Sequence, residues 1–358
     1  MTQGRPPRIA FYAPLKPPDH DTPSGDRTIA RGLMHALAQL GAVELVSRFR
    51  SREARGDTTA QAALVAEADR IAKGLIAKGA VWDSWITYHN YYKAPDLIGP
   101  RVCAALGIPY HLVEASRAPK RLHGPWADFA RRADAASDAA AVIFYFTGRD
   151  LPELEKARPE TQKLVHLRPF LDRDSLPEGS FRSAGKTLLA VGMLRRGDKL
   201  ASYRNLAAAL HFVKSDGWSL RIVGDGPAGA EVQDLFAPFG KRITFVGALD
   251  AAGVATEMSA ADVFVWPGVN EAFGMVYIEA QAAGLMVVAE DRVGVRDVVG
   301  PAGILTPPDD AKAFGAAIDQ AFDKGPQDSV QRRYAQQHLR GAAVETLAGA
   351  VQFKEATQ

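Results

Sequence analysis

The chain has 358 residues, 47% of them apolar and 23% charged, with a formal net charge of +2. That length suits two hydrophobic cores better than one, and the near-neutral charge gives no reason to expect a nucleic-acid partner. The single cysteine, Cys103, rules out an internal disulfide framework and a cysteine-built metal centre.

No apolar run approaches the ~20 residues that span a bilayer. The opening MTQGRPPR leads into a strand without the apolar stretch of a signal peptide. A cytoplasmic protein is expected, with contact at the inner membrane face as a further option.

Arg8–Leu15 reads as a first buried strand. The loop KPPDHDTPSGDR follows, and apolar positions Ile29, Leu33, Leu37 and Leu40 predict a helix over 27–40. A loop after a first strand is where a doubly wound domain places its ligand. Gly25 and Arg27 are therefore candidates for lining a cleft, although a capped turn also explains Ser24 and Asp26. Val43–Phe49 is a second strand. Arg48, Arg50, Arg52 and Arg55 make the next turn basic, which suits solvent or an anionic lipid or phosphorylated acceptor. Ala60–Lys78 reads as an amphipathic helix.

Trp82–Tyr88 is a third strand, and His89, Asn90, Tyr91 and Tyr92 at its end form a sugar-binding lip by composition. Asp96–Leu106, which contains Cys103, is helical. Ile108–Val113 is a strand followed by Glu114. A second basic loop with Arg117, Lys120, Arg121 and His123 suits an acceptor phosphate or solvent. Trp126–Asp138, Ala141–Phe146, Thr147–Ala157 and Leu164–Arg168 complete the half as helix, strand, helix and strand. Residues 169–185 lack periodicity and read as a linker.

The second half restarts with the strand Thr187–Gly192, a basic loop over 193–205 and a helix continuing over Leu206–Val213. Strands follow at Ser219–Gly224, closed by the turn Asp225-Gly226-Pro227, and at Ile243–Val246. Strands alternating with helices mean a parallel sheet covered on both faces. Lys312–Phe322 and the stretch from Ser329 onward read as helical.

Between them lies ADVFVWPGVNEAFGMVYIEAQAAG, residues 261–284. It reads as strand, loop and helix, with the helix beginning near Phe273–Met275. First-turn N–H groups there lack helical partners and offer an anion site, and Gly274 allows close approach. Glu279 falls one turn deeper on the same face as Met275, placed to accept hydrogen bonds from ribose hydroxyls. Glu271 stands before the helix, where the sugar end of a nucleotide-sugar would lie. A plain surface acid on a common strand–loop–helix unit is the alternative.

The phrase E-A-F-G-M-V-Y-I-E-A-Q-A-A-G-L-M-V, from Glu271 to Val287, resembles the signature of the retaining glycosyltransferases of the GT-B fold, family 4, the glycosyl transferases group 1. The resemblance implies two Rossmann-like doubly wound domains facing across a cleft. It implies an acceptor domain over 1–170, a nucleotide-sugar domain over 171–335, and a last helix over 336–358 returning to the first domain. It implies Glu271 as a catalytic residue, with His89, on the neighbouring strand, as the catalytic substitute for the family's histidine. Donor contacts would come from Arg196, Lys199, Arg204, Gly224, Asp225, Phe273, Gly274, Met275, Val276 and Glu279. Gly25, Arg27 and Glu114 would line the acceptor side. Met193 stands where the family has an arginine, and Glu114 follows the strand where many members carry a histidine.

The expected activity is transfer of a hexose from a UDP- or GDP-linked donor to a glycan, lipid-linked or small-molecule acceptor. No cofactor or metal is expected. A nucleotide-sugar epimerase and a non-catalytic nucleotide-sugar-binding protein are the alternatives on the same architecture. A dinucleotide-dependent dehydrogenase is disfavoured, because no G-x-G-x-x-G follows the first strand.

Overall fold

A computed structural model describes residues 5–21, 24–79, 81–177, 185–301 and 303–354. Parts of the expected linker (178–184), of the loop after the first strand (22–23), and of both ends of the chain lie outside the described residues. The chain divides into two compact units, 1–172 with 340–358, and 173–339.

In the first unit, β1 (Arg8–Tyr12), α1 (Gly25–Leu37), β2 (Ala42–Ser47), α2 (Thr58–Ala77), β3 (Ser84–Asn90), α3 (Gly99–Leu106), β4 (Tyr110–Ala115), α4 (Ala127–Ala139), β5 (Val142–Tyr145), α5 (Leu151–Ala157) and β6 (Lys163–His166) follow one another. The strands form a six-stranded sheet in the order β2-β1-β3-β4-β5-β6, and its pairings are parallel. Helices cover a parallel sheet, so its central strands are apolar throughout rather than alternating. Ile9 to Tyr12 and Trp85, Ile86 and Tyr88 are buried accordingly. Ser24 caps α1 by accepting the Arg27 N–H at 3.3 Å, and Asp57 caps α2. Cys103 is a core residue of α3, and burial pushes its thiol pKa far up, as expected of an inert packing cysteine.

The second unit holds β7 (Thr187–Val191), α6 (Asp198–Leu210), β8 (Ser219–Val223), α7 (Gly229–Phe236), β9 (Ile243–Gly247), α8 (Ala251–Ala260), β10 (Val263–Trp266), α9 (Met275–Ala282), β11 (Met286–Glu290), α10 (Val295–Val298), β12 (Ile304–Thr306), α11 (Ala311–Lys324) and α12 (Asp328–Ala335). Its six strands run β12-β11-β10-β7-β8-β9, with parallel pairings.

The stretch expected as one terminal helix breaks after α12. Leu339 is extended, and α13 (Arg340–Ala350) starts afresh as part of the first unit, against α1. The entry and exit of the second unit meet within the first: Arg340 donates to Asp172 at 2.7 Å, and His35 lies 2.6 Å from the same carboxylate. No helix among the described residues is long and apolar enough to cross a membrane.

Candidate functional site

In the second unit the chain moves from β7 outward to β8 on one side, while β10 flanks β7 on the other. Loops leaving the carboxyl ends of such neighbours diverge, and the crevice between them is where open α/β sheets bind ligands. Those loops are 192–197 after β7 and 267–274 after β10.

The second loop is moulded over one side chain. Tyr277, fully buried on α9, donates its hydroxyl to the Trp266 carbonyl at 3.0 Å. A Cβ at Gly268 would fall on the Tyr277 hydroxyl, and one at Gly274 would come within 2.7 Å of its ring. Both glycines also have positive φ, 76° and 75°. The loop therefore needs glycine at both positions to pass over the ring. Gly274 ends the loop as the residue before the helix. Among the described residues, the N–H groups of Gly274, Met275 and Val276 donate to no protein acceptor. Glu279 lies one turn on and is exposed. Although its side chain reaches solvent, the protein crowded around its carboxyl raises its pKa above the usual carboxylate value, and the charge of Arg173 partly offsets this.

The first two turns of α6 hold the other end of the loop. Ser202 accepts the Val269 N–H at 3.0 Å. Asn270, at φ 52°, donates its amide to Asp198 at 3.1 Å. Lys199 forms an ion pair with Glu271, and Trp266 Nε1 donates to the same Glu271 oxygen at 3.1 Å. The Lys199 ammonium also lies 5.3 Å from the centre of the Trp266 ring. Both charged side chains are less than a fifth exposed, at 18% and 17%. Partial burial strengthens the pairing relative to water.

The stretch 193–205 is thus a loop only as far as Gly197. That glycine, at φ 82°, precedes α6, and Asp198 sits in its first turn. The three expected diphosphate cations part company. Arg204 pairs with Glu231 on α7 at 2.5 Å, and Arg196, 84% exposed, lies 4.0 Å from the same acid. Of the three, Lys199 is the one joined to Glu271. Glu231, carried on a helix the sequence reading did not register, gave no signal that it would draw the two arginines.

Gly224 and Asp225 belong to a turn zipped against the β7 loop. Gly224, at φ 141°, faces the Gly192 carbonyl, and Asp225 accepts the Leu194 N–H on its backbone oxygen at 3.0 Å. A further cluster escaped the sequence reading. Asn205 donates to Glu290 at 3.0 Å and to Asp309 at 2.8 Å, and Arg292 bonds both acids. Hydrogen bonds from Asn205 and Arg292 hold Asp309 below the usual carboxylate range, against a desolvation that would raise it.

In the first unit, Arg27 braces its own loop, donating to the carbonyls of His20 at 2.7 Å and Asp21 at 3.1 Å. Gly25 opens α1 with empty space where a side chain would start, so neither conformation nor crowding requires glycine there. His89 and Glu114 both adopt positive φ, 72° and 59°. They lie at one level on adjacent strands, between the pairs Tyr88–Val113 and Asn90–Ala115. Such backbone is costly for non-glycine residues and concentrates at ligand-handling positions. His89 stacks on Tyr88 at 4.0 Å, and its Nε2 lies 3.5 Å from Asp26. Burial, then the charge of Asp150, raises the Glu114 carboxyl pKa to about 8.

Glu114 therefore keeps its proton in the folded chain at pH values where the unfolded chain has lost it. Its destabilising contribution grows as pH rises from the usual carboxylate range to about 8. Glu114→Gln, which fixes the neutral form, is expected to raise Tm more at pH 9 than at pH 5. Equal gains in melts at the two pH values would contradict this.

Residues 185–324 match the family described as glycosyl transferases group 1. The chain is 28% identical over 239 residues to an exopolysaccharide phosphotransferase, SCO2592, of Streptomyces coelicolor, covering 64% of this chain and 24% of that protein. It is 35% identical over 162 residues to a phosphatidyl-myo-inositol mannosyltransferase of Mycolicibacterium smegmatis, covering 43% of this chain and 40% of that protein. The matches thus span about a quarter and two fifths of those relatives' lengths. The Anabaena protein Alr3699/HepE, solved in complex with UDP, superposes with a TM-score of 0.68 at 15% identity, over 96% of this chain and 98% of that one. Residues 185–324 are thus similar to the glycosyl transferases group 1, and the chain carries the two-unit α/β architecture of the GT-B fold.

Proposed function

We propose that the protein is a retaining glycosyltransferase that moves a hexose from a UDP- or GDP-linked donor to an acceptor hydroxyl. The observation that carries this reading is the Lys199–Glu271 pair, held at the β7/β10 crevice just before the three unpartnered N–H groups of Gly274, Met275 and Val276. A cation, an acid and an amide nest in sequence match the charge order of a diphosphate joined to a sugar.

In this reading the amides at the start of α9 and the Lys199 ammonium receive the diphosphate. Glu279 accepts hydrogen bonds from the ribose hydroxyls. Glu271, held by Trp266, orients the hexose and stabilises positive charge growing at its C1. The bond from C1 to the diphosphate oxygen breaks, and that oxygen keeps the electron pair. The acceptor oxygen attacks C1 from the same face, and its proton passes to the departing diphosphate. Donors preset where charge develops lower the barrier most, and here loop and helix hold them before the donor arrives. His89, beside Asp26, and Glu114 belong to the acceptor side. The mannosyltransferase among the relatives supports this reading.

The test is thermal stabilisation by UDP, GDP and their hexose conjugates, with wild type beside Glu279→Ala. A ligand at 100 times its Kd adds ~2.7 kcal/mol. That is a Tm rise of about 5–10 °C for a unit of this size. The rise is expected with one base in wild type and is expected to vanish in the variant. No shift with any nucleotide would remove the donor site.

A further inference from the structure

The first unit has its own switch point, between β1 and β3, which the chain enters and leaves in opposite directions. The residues directly after β3 are Tyr91, Tyr92 and Lys93, and the structure gathers further groups around them. Tyr92 packs edge-on against Tyr91 at 5.8 Å and against Trp126 at 5.3 Å. The Lys93 ammonium lies 5.6 Å from the Tyr92 ring centre and 5.8 Å from that of Trp126. The Arg121 guanidinium, from the loop after β4, lies 5.2 Å from the Tyr92 ring. The charge of Arg52, from the loop after β2, reaches the Tyr91 side chain. Two basic loops distant in sequence thus converge on one aromatic lip.

What sets this cluster apart is how its cations are held. Elsewhere in the unit several arginines meet carboxylates, Arg5 with Asp83, Arg48 with Asp19, Arg101 with Asp69 and Arg132 with Asp128, and others, Arg27 and Arg31 among them, bond backbone carbonyls. Among the described residues, Lys93 and Arg121 have no carboxylate at salt-bridge distance and rest on rings instead. Glu53, next to Arg52 in sequence, is spent otherwise. It is buried and accepts the N–H groups of Arg55, Gly56 and Asp57. Asp26, whose charge reaches Tyr91, is engaged with His89. A ring fixes a cation's position without neutralising it. The result is a preset, uncompensated positive site rimmed by apolar ring edges.

We propose that Arg52, Tyr91, Tyr92, Lys93, Arg121 and Trp126 form an acceptor subsite for a phosphate carried on a sugar or cyclitol ring. The cations take the phosphate oxygens by charge-assisted hydrogen bonds, and the half-buried rings of Tyr91 and Tyr92 meet the C–H surface of the polyol, with buried Trp126 backing them. The acceptor role rests on the glycosyltransferase reading; the anion subsite stands on its own contacts.

Calorimetric titration of the full chain with mannose 6-phosphate, and separately with mannose, tests it, using wild type and the double variant Lys93→Ala/Arg121→Ala. Wild type is expected to bind the phosphate at least tenfold more tightly than mannose, with affinity falling as salt rises. The double variant is expected to lose at least tenfold for mannose 6-phosphate while keeping its Tm and its stabilisation by UDP or GDP. Tyr92→Phe is expected to preserve binding and Tyr92→Ala to weaken it. Equal affinity for the two sugars, or for the two proteins, overturns the subsite. Retention on phosphatidylinositol vesicles that is lost in the double variant, alongside binding of the soluble phosphate, marks a lipid-linked source. Vesicle binding without sugar-phosphate binding overturns the subsite in favour of a membrane-docking face. If nucleotides stabilise neither protein while mannose 6-phosphate behaves as expected, the donor reading falls and the anion subsite remains.

Discussion

Lys199→Ala is expected to lower kcat/KM for the nucleotide-sugar by about 10²–10³-fold, the usual consequence of removing one preset donor to a departing oxyanion. Two effects act together. The diphosphate loses a cation held against Trp266 and less than a fifth exposed. Glu271 loses its counter-charge and keeps only the Trp266 N–H at 3.1 Å. Lys199→Arg keeps the charge but changes its shape, and is expected to recover only part of the loss. Lys199→Ala and Glu271→Gln touch the same pair, so the double variant is expected to be much less impaired than the summed single effects. Steady-state rates on UDP- and GDP-hexoses with wild type, Lys199→Ala, Lys199→Arg, Glu271→Gln and the double variant decide this. A Lys199→Ala rate within threefold of wild type would take the pair out of the mechanism. Arg196→Ala and Arg204→Ala, whose side chains gather at Glu231 instead, are expected to cost far less.

Gly294→Ala is expected to be among the most damaging single-atom additions in the second unit. Gly294 has φ 92°, and a Cβ there would fall on the Ala272 carbonyl, beside Glu271. The obstacle is backbone, so no rotamer change relieves it. Strain and displacement together are expected to cost on the order of 3 kcal/mol or more. That corresponds to a Tm fall of about 6–12 °C, with loss of nucleotide stabilisation because the displaced loop carries Glu271. Gly25→Ala is the internal control. It meets open space at the start of α1 and is expected to change stability by no more than about 1 kcal/mol in the favourable direction. Similar melts for the two variants would contradict the geometry.

Much of the architecture was written in local pattern. Apolar runs such as TLLAVG and VFVW, bounded by glycine, gave the buried strands, and the phrase from Glu271 to Val287 gave the loop-to-helix junction before any coordinates. What escaped has identifiable causes. Helix α8, AAGVATEMSA, is rich in alanine and glycine and shows no clear apolar face, so periodicity could not mark it. The start of α6 hid because Arg195, Arg196, Gly197 and Asp198 look like a polar turn, whereas Asp198 is a first-turn acid. Glu231 lies 27 residues beyond Arg204 in sequence, and nothing local announces that they meet. The roles of Gly268 and Gly294 depend on Tyr277 and the Ala272 carbonyl, contacts visible only once the chain has folded back on itself.

The Asp172–Arg340 ion pair has a consequence for how such a chain can be rebuilt. In threading terms the second unit is a guest inserted into a host, and the host's cut ends are stapled together by one carboxylate shared with His35. A different guest would have to present its two termini at that spacing to be grafted in. The host sheet, with α13 returning against α1 from beyond the insertion, need not change. The inserted unit is therefore exchangeable at two chain junctions that meet at one place on the host.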